Sequence, residues 1–208
     1  MREASNQLAF IDRVYIATGF EIEPFDEAEL HRVTYLGMLP FIENQSKHFA
    51  EESVVLEVGG GTSELLLLQQ TDVQFSRTYR LGSLRLRHRL DRFEGPLSKT
   101  RSIMETQIAQ TIHEFEIAAK FPSPKNLIAM GGDVRFAAKE INQKPVSGKL
   151  TEIKLSQLVD FTDGVLAQSP NQLVTKYHMS LLDAKTFGPG LLTPVSYTHL
   201  TLPTICSV

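Results

Sequence analysis

The chain has 208 residues, of which 42% are hydrophobic and 22% charged, with a net charge of −3 and a pI near 6.1. That length can bury one large core or two small ones, and the mild acidity argues against general nucleic-acid affinity. No apolar run approaches the ~18 residues of a membrane span, and the single cysteine, Cys206, rules out a disulfide framework or a thiolate metal site. The opening residues Met1 to Asn6 carry neither the charged nor the apolar region of a secretion signal, so a reducing cytoplasm is the expected setting.

Residues 2–18 read as a helix with Leu8, Ile11, Val14 and Tyr15 on one face, stopped by Gly19. Residues 20–25 alternate like a short strand, with Pro24 marking an edge or an end. Asp26 is a suitable N-cap for a second helix to about Asn44, whose packing stripe is Leu30, Val33, Leu36 and Gly37. A polar linker, Lys47 to Ser53, then leads into Val54–Val58, a buried apolar run that contains one acid, Glu57.

Gly59-Gly60-Gly61-Thr62-Ser63 breaks that run, and Glu64-Leu65-Leu66-Leu67-Leu68 resumes it. Strand, glycine turn, strand is a hairpin whose backbone N–H groups form a concavity suited to a phosphate. An unpaired carboxylate inside a strand costs several kcal/mol, roughly, so Glu57 needs a partner. Beside a phosphate-binding turn that partner is a hard divalent cation, Mg²⁺, with Glu64 as the second acid within reach. Composition alone leaves open the plainer reading, in which Glu57 is a solvated strand end and the glycines only make the turn. A P-loop is excluded because no lysine follows these glycines. A dinucleotide fingerprint is excluded because Glu64 stands at the third glycine position and no helix follows. What remains is the phosphate hairpin of the actin-like and sugar-kinase-like ATPase fold.

Residues 73–79 read as a third antiparallel strand, followed by Arg80 to Arg89, in which the break Leu81-Gly82-Ser83 leads into a basic stretch. These arginines are either a solvated helix face or a cationic wall for a polyanion, with Arg85 nearest the glycines. Residues 98–120 form the clearest helix, with Met104, Ile108, Ile112, Phe115 and Ala119 on its core stripe and Ser102 with Glu105 as a capping box. Asn126 to Met130 is a buried strand ending at Gly131-Gly132-Asp133, where a helix begins. Paired glycines before a helix present N–H groups to an anion; Asp133 is expected to cap that helix. Residues 145–149 are a loop, and two or three short helices fill 155–192, interrupted at Gly164, Pro170 and Gly188-Pro189-Gly190. Residues 195–208 change character abruptly and are expected to be a non-native tail outside the fold.

Taken together, these motifs resemble the exopolyphosphatase / guanosine pentaphosphate phosphohydrolase family. The hairpin through Leu65 is similar to its V-I-D-I-G-G-G-S-T-E-L, Arg80 to Leu86 to its P-L-G-S-V-R-L, and Ala129 to Ala138 to its V-G-G-T-A-x-x-L-A-A. Ile22 to Met38 parallels I-E-x-I-S-G-x-E-E-A-R-L-x-Y-x-G-V, and Arg2 to Asn6 matches R-x-A-x-N. The resemblance implies an α/β, actin-like ATPase (ribonuclease H-like) fold, a mixed sheet flanked by helices in a partial two-lobed architecture. Residues 1–50 would be the end of the first lobe, 51–150 the second lobe with the hairpin, and 151–194 a helical extension. It implies Mg²⁺-dependent hydrolysis of terminal phosphoanhydrides in polyphosphate or guanosine pentaphosphate, with no nucleic-acid or membrane partner and with a homodimer admitted. By the same resemblance, Gly59, Gly60, Gly61, Thr62 and Ser63 bind phosphate, Arg2 and Arg85 neutralise it, and Gly131 and Gly132 complete the cradle. Glu57 and Glu64 hold the metal and take part in catalysis.

Three departures from that pattern stand out. The family's paired glutamates are Glu29 and Leu30 here, and the second is the expected general base, which leaves Glu29 as the candidate replacement. The hairpin aspartate is Glu57, and the threonine after the paired glycines is Asp133. The family's first phosphate hairpin, of the D-x-G-S-N-S kind, has no counterpart before Arg2, so the chain is expected to be truncated at its N-terminus. The competing reading is a family member that keeps the phosphate cradle and senses polyphosphate or a nucleotide with little or no cleavage.

Overall fold

The computed structural model describes residues 5–43, 52–90, 97–120, 126–143, 150–201 and 204–207. Six strands form one mixed sheet in the order β3-β2-β1-β4-β6-β5. They are β1 (Ser53–Val58), β2 (Ser63–Gln69), β3 (Asp72–Tyr79), β4 (Asn126–Met130), β5 (Thr151–Lys154) and β6 (Thr204–Ser207). Strands β1, β2 and β3 form an antiparallel meander, β4 runs parallel to β1, and β6 runs parallel to β4 and antiparallel to β5.

Alternate residues of the central strands feed two separate cores, which is why β1, β2 and β4 read as nearly unbroken apolar runs. On one face Val55, Leu66, Leu68 and Ile128 pack against Met38 and Ile42 of α2 (Glu27–Glu43). On the other, Val54, Leu56, Leu65, Leu67 and Leu127 meet α4 (Leu97–Ala119), α5 (Gly132–Asn142), α6 (Leu155–Leu166) and α8 (Leu181–Thr201). The expected stripe of α4 is buried, with Met104, Ile108, Ile112 and Phe115 at 3% exposure or less. Helices α3 (Ser83–Leu90) and α7 (Pro170–Tyr177) join this layer.

Several expectations are corrected. Helix α1 (Gln7–Thr18) ends at Gly19, which adopts φ 73° and donates its N–H to the Tyr15 carbonyl, but it buries no residue fully and leaves Leu8 and Tyr15 exposed. Residues 20–25 are not a strand; they have no ladder partner among the described residues. On α2 the buried line is Thr34, Met38 and Ile42, while Val33 and Leu36 are about half exposed. The helix is thus turned by one residue from the most apolar stripe, and a threonine faces inward. Helix α4 starts at Leu97, so Ser102 lies inside it and cannot cap; Glu105 instead pairs with Arg101 at 2.7 Å. Gly164 lies within α6, whereas Pro170 opens α7 behind a Ser169–Gln172 capping box.

Helix α8 runs through Gly188-Pro189-Gly190 without interruption and on to Thr201. Burial of Phe187, Leu191, Leu192, Val195 and Tyr197 outweighs the poor intrinsic propensity of this segment. Gly188 permits the close crossing with α6, because a Cβ there would stand 2.6 Å from Leu166 Cδ2. Residues 195–201, expected outside the fold, therefore continue α8, with the Tyr197 ring edge-on to Phe115 at 6.4 Å, and residues 204–207 form β6. The polar linker and the 145–149 loop fall on residues 44–51 and 144–149, outside the described residues except at their edges.

Candidate phosphate-binding site

The site is built on the β1–β2 hairpin. In its register Glu57 lies directly opposite Glu64 and Val58 opposite Ser63, and Gly59 N–H donates to the Thr62 carbonyl at 2.9 Å to close the turn. Directly paired residues share a sheet face, and the parity of Val55, Leu66 and Leu68 puts both glutamates on the α2 side. The row extends across four strands, since Met130 pairs with Glu57 and Thr78 with Glu64. Helix α2 covers it. Thr34 Oγ1 donates to Glu57 Oε2 at 3.0 Å, and His31 Nε2 lies 2.9 Å from Thr78 Oγ1. Thr62 Oγ1 donates to Glu64 Oε1 at 2.9 Å, and Glu64 is only 4% exposed. Thus the two carboxylates face the same space, each already steadied by a threonine hydroxyl.

The turn itself is oriented by α3. Ser83 and Leu84 N–H donate to the carbonyls of Gly59 and Gly60 at 3.0 and 2.9 Å, and Arg85 Nε donates to the Gly61 carbonyl at 2.7 Å. In a trans peptide the C=O and N–H point in opposite directions. Three carbonyls turned toward α3 therefore send the N–H groups of Gly60, Gly61 and Thr62 the other way. A Cβ on Gly61 would meet nothing within 4 Å, so the backbone at that residue is open to an approaching group. The Ser63 hydroxyl does not join them: it is buried and donates to the Leu81 carbonyl, so Ser63 holds the turn in place and is corrected from its expected role as a phosphate ligand.

Beside the turn lies a cleft of about 780 Å³. Gly61, Thr62, Thr78, Arg80 and Arg85 form one wall, and Gln7 with Pro24 to Glu27 forms the other. Backbone N–H groups, hydroxyls and two guanidinium groups on one surface suit a phosphoryl group or a chain of them. The parallel pairing of β4 with β1 brings the β4–α5 junction to the end of β1, where a Cβ on Gly131 (φ 127°) would stand 3.2 Å from the Val58 carbonyl oxygen. Gly131, followed by Gly132, therefore lies at the end of β1 beside the hairpin.

Asp133 does not cap α5. The N-cap is Gly131; Asp133 lies two residues on, in the first turn, and its carboxylate packs against α8, where a Cβ on Gly190 would meet Oδ2 at 2.1 Å. Burial, and secondly the charge of Asp183, push its carboxyl up to about 6 from the ordinary 3.8. A carboxyl raised on folding contributes stability that is full below the unfolded value and is lost as pH rises through the folded one. The expected difference is about 3 kcal/mol. Asp133→Asn should therefore gain stability over the parent at pH 8 and gain nothing at pH 4, measured by denaturant midpoints at the two pH values. An equal gain at both would refute this account of its burial.

Glu29 is not brought to the row. It is exposed and closes a capping box with Asp26, accepting the Asp26 N–H at 3.0 Å while its own N–H donates to Asp26 Oδ1 at 2.8 Å. Arg2 lies outside the described residues. Thr34, His31 and Thr78 were not expected at the site, and Arg80 was expected there only as one of the arginines of the 80–89 stretch. The only available signal for Thr34 was its place one turn after Leu30, and for Thr78 its alternation along β3. Among the described residues no group of three or more His, Cys, Asp or Glu gathers. The facing pair Glu57 and Glu64, one of them buried, puts carboxylate oxygens from two strands on one sheet face, a donor type that suits a hard divalent cation. No helix among the described residues is long and apolar enough to cross a membrane.

Comparison with known proteins agrees with this geometry. The chain resembles a Ppx/GppA family member from Aquifex aeolicus with a TM-score of 0.77 at 16% identity, covering 99% of this chain and 66% of that one. It also resembles an exopolyphosphatase from Cytophaga hutchinsonii with a TM-score of 0.80 at 17% identity, covering 99% and 67%. The chain thus spans about two thirds of the length of these structures, and the shared architecture is the mixed α/β, actin-like ATPase fold. No curated protein matches it. The model of the Ppx/GppA phosphatase family matches residues 1–184, and the chain belongs to that family.

Proposed function

We propose that the chain grips the terminal phosphoryl groups of polyphosphate or a guanosine polyphosphate, and that its reaction class is hydrolysis of the terminal phosphoanhydride. The observation that carries this reading is the glycine turn: α3 and Arg85 take the carbonyls of Gly59, Gly60 and Gly61, which turns the opposing amides away from α3, and Gly61 and Thr62 line the cleft together with Arg80 and Arg85. Such a site acts by positioning and by stabilising charge on a loose phosphoryl transition state. Glu57 and Glu64 would hold Mg²⁺, whose positive charge offsets that of the phosphoryl oxygens. Thr34 and Thr62 orient these two carboxylates.

A specific observation favours a second, narrower reading, that the chain as it stands binds more than it cleaves. Position 30 is a leucine, and Glu29 is committed to the start of α2. The test is calorimetric titration with tripolyphosphate and Mg²⁺, alongside phosphate release from tripolyphosphate and from guanosine pentaphosphate. Arg85→Ala should weaken tripolyphosphate binding about tenfold or more and flatten its salt dependence, because a charge-assisted contact is lost. Unchanged affinity in that variant would refute the assignment of the cleft.

A further inference from the structure

We propose that Thr78 is a phosphoryl acceptor with His31 as its base, so that the chain transfers the terminal phosphoryl group of a bound polyphosphate to its own β3. The inference rests on the reading of the cleft as the phosphate site, and it goes beyond hydrolysis because the acceptor is a side chain in place of water. A hydroxyl is a weak nucleophile until a base within hydrogen-bond reach takes its proton. Among the described residues two hydroxyls line the cleft, those of Thr62 and Thr78. Thr62 Oγ1 donates to Glu64 Oε1, one of the two carboxylates assigned to the cation. Thr78 Oγ1 lies 2.9 Å from His31 Nε2, the separation of a nucleophile from its base.

The fold places this pair. His31 and Thr34 stand three residues apart on one side of α2; Thr34 reaches β1 at Glu57, and His31 reaches β3 at Thr78. Thr78 shares one cleft wall with Gly61 and Thr62 of the turn and with Arg80 and Arg85. A contact that only tied α2 to the sheet would serve as well inside the core, but Thr78 is partly exposed and borders the cleft. With His31 neutral and its proton on Nδ1, Nε2 accepts the Thr78 hydroxyl proton. The bond from Thr78 Oγ1 to the terminal phosphorus forms as the bond from that phosphorus to its bridging oxygen breaks. Tripolyphosphate thus leaves as pyrophosphate with the electron pair, the proton passes from His31 to solvent, and nothing is oxidised or reduced. Because the transition state is loose, the base has only to orient the hydroxyl and take its proton, as the catalytic aspartate does for the acceptor hydroxyl in protein kinases.

The test is incubation of the 208-residue chain with tripolyphosphate and Mg²⁺, followed by intact-mass measurement and peptide mapping, beside calorimetric titration with the same ligand. The parent is expected to gain the mass of one phosphoryl group, mapped to residue 78. Thr78→Ser should be labelled at the same residue, and Thr78→Val should not be labelled. His31→Ala should slow labelling about 10²-fold or more, the usual contribution of a positioned base, and added imidazole should restore part of the rate. A purely structural role for His31 would not respond to imidazole. Label found at Thr62, Ser63 or any residue other than 78, or no label in a parent that binds tripolyphosphate, overturns Thr78 as acceptor while leaving the cleft intact. Labelling of His31→Ala at the parent's rate overturns His31 as base. Failure of the parent to bind tripolyphosphate at all overturns the cleft reading itself.

Discussion

Replacing Leu30 with glutamate should raise phosphate release from tripolyphosphate by about 10²–10⁴-fold, the usual contribution of a positioned general base. The expectation follows from the face on which residue 30 sits. Leu30 is partly buried and lies one helical turn before Thr34, and residues four apart share a helix face. Thr34 touches Glu57, so a longer carboxylate at position 30 would project along the same side toward the Glu57–Glu64 row. Leucine at this place can neither accept a proton nor orient a water molecule. Its neighbour Glu29 is turned by about 100° and spends both its carboxylate and its N–H on Asp26. Two variants separate the alternatives. If Leu30→Glu releases phosphate at the parent's rate while still binding tripolyphosphate, the missing base is not what limits the chain. If Glu29→Gln abolishes release in the parent, Glu29 serves despite its capping role, and the placement argued here is wrong.

The parts of this arrangement that were legible in the sequence are those determined locally. Two apolar runs parted by three glycines can only bury themselves as paired strands, and that pairing alone puts Glu57 opposite Glu64. The boundaries at Gly19 and Gly131 follow from backbone conformations that glycine adopts without strain, φ 73° and 127°. What could not be read depends on contacts between distant segments. Thr34 faces inward on α2 because Glu57, 23 residues on, accepts its hydroxyl proton, and hydrophobic periodicity favoured Val33 and Leu36. Ser63 looks like a phosphate ligand by spacing, yet the Leu81 carbonyl claims its hydroxyl. Asp133 has the composition of a cap, and only the packing of α8 shows that its carboxylate is taken elsewhere. The same helix crosses its Gly-Pro-Gly segment unbroken because tertiary burial surrounds it.

Gly82→Ala is expected to cost the fold about 3 kcal/mol or more and to abolish tripolyphosphate binding. A Cβ at residue 82 would stand 2.4 Å from the Gly60 carbonyl oxygen and 2.5 and 2.6 Å from the carbonyl carbons of Gly60 and Gly61. All three atoms are backbone, so no side chain can rotate to make room, and the turn or α3 must move. Either movement lengthens the bonds from Ser83 and Leu84 to Gly59 and Gly60, the bonds that aim the turn's amides at the cleft. Gly61→Ala supplies the contrast, because its Cβ would meet no atom within 4 Å. That variant should keep the parent's denaturant midpoint and still bind tripolyphosphate more weakly, since the added methyl occupies the open side of the turn. Equal stability of Gly82→Ala and the parent would mean that the turn tolerates displacement, and the orientation of its amides would then no longer follow from the packing of α3. Loss of stability in both variants would place the constraint in the glycine run itself. A midpoint lowered only by Gly82→Ala, with affinity reduced in both, is the result that the close approach of residue 82 to the hairpin requires.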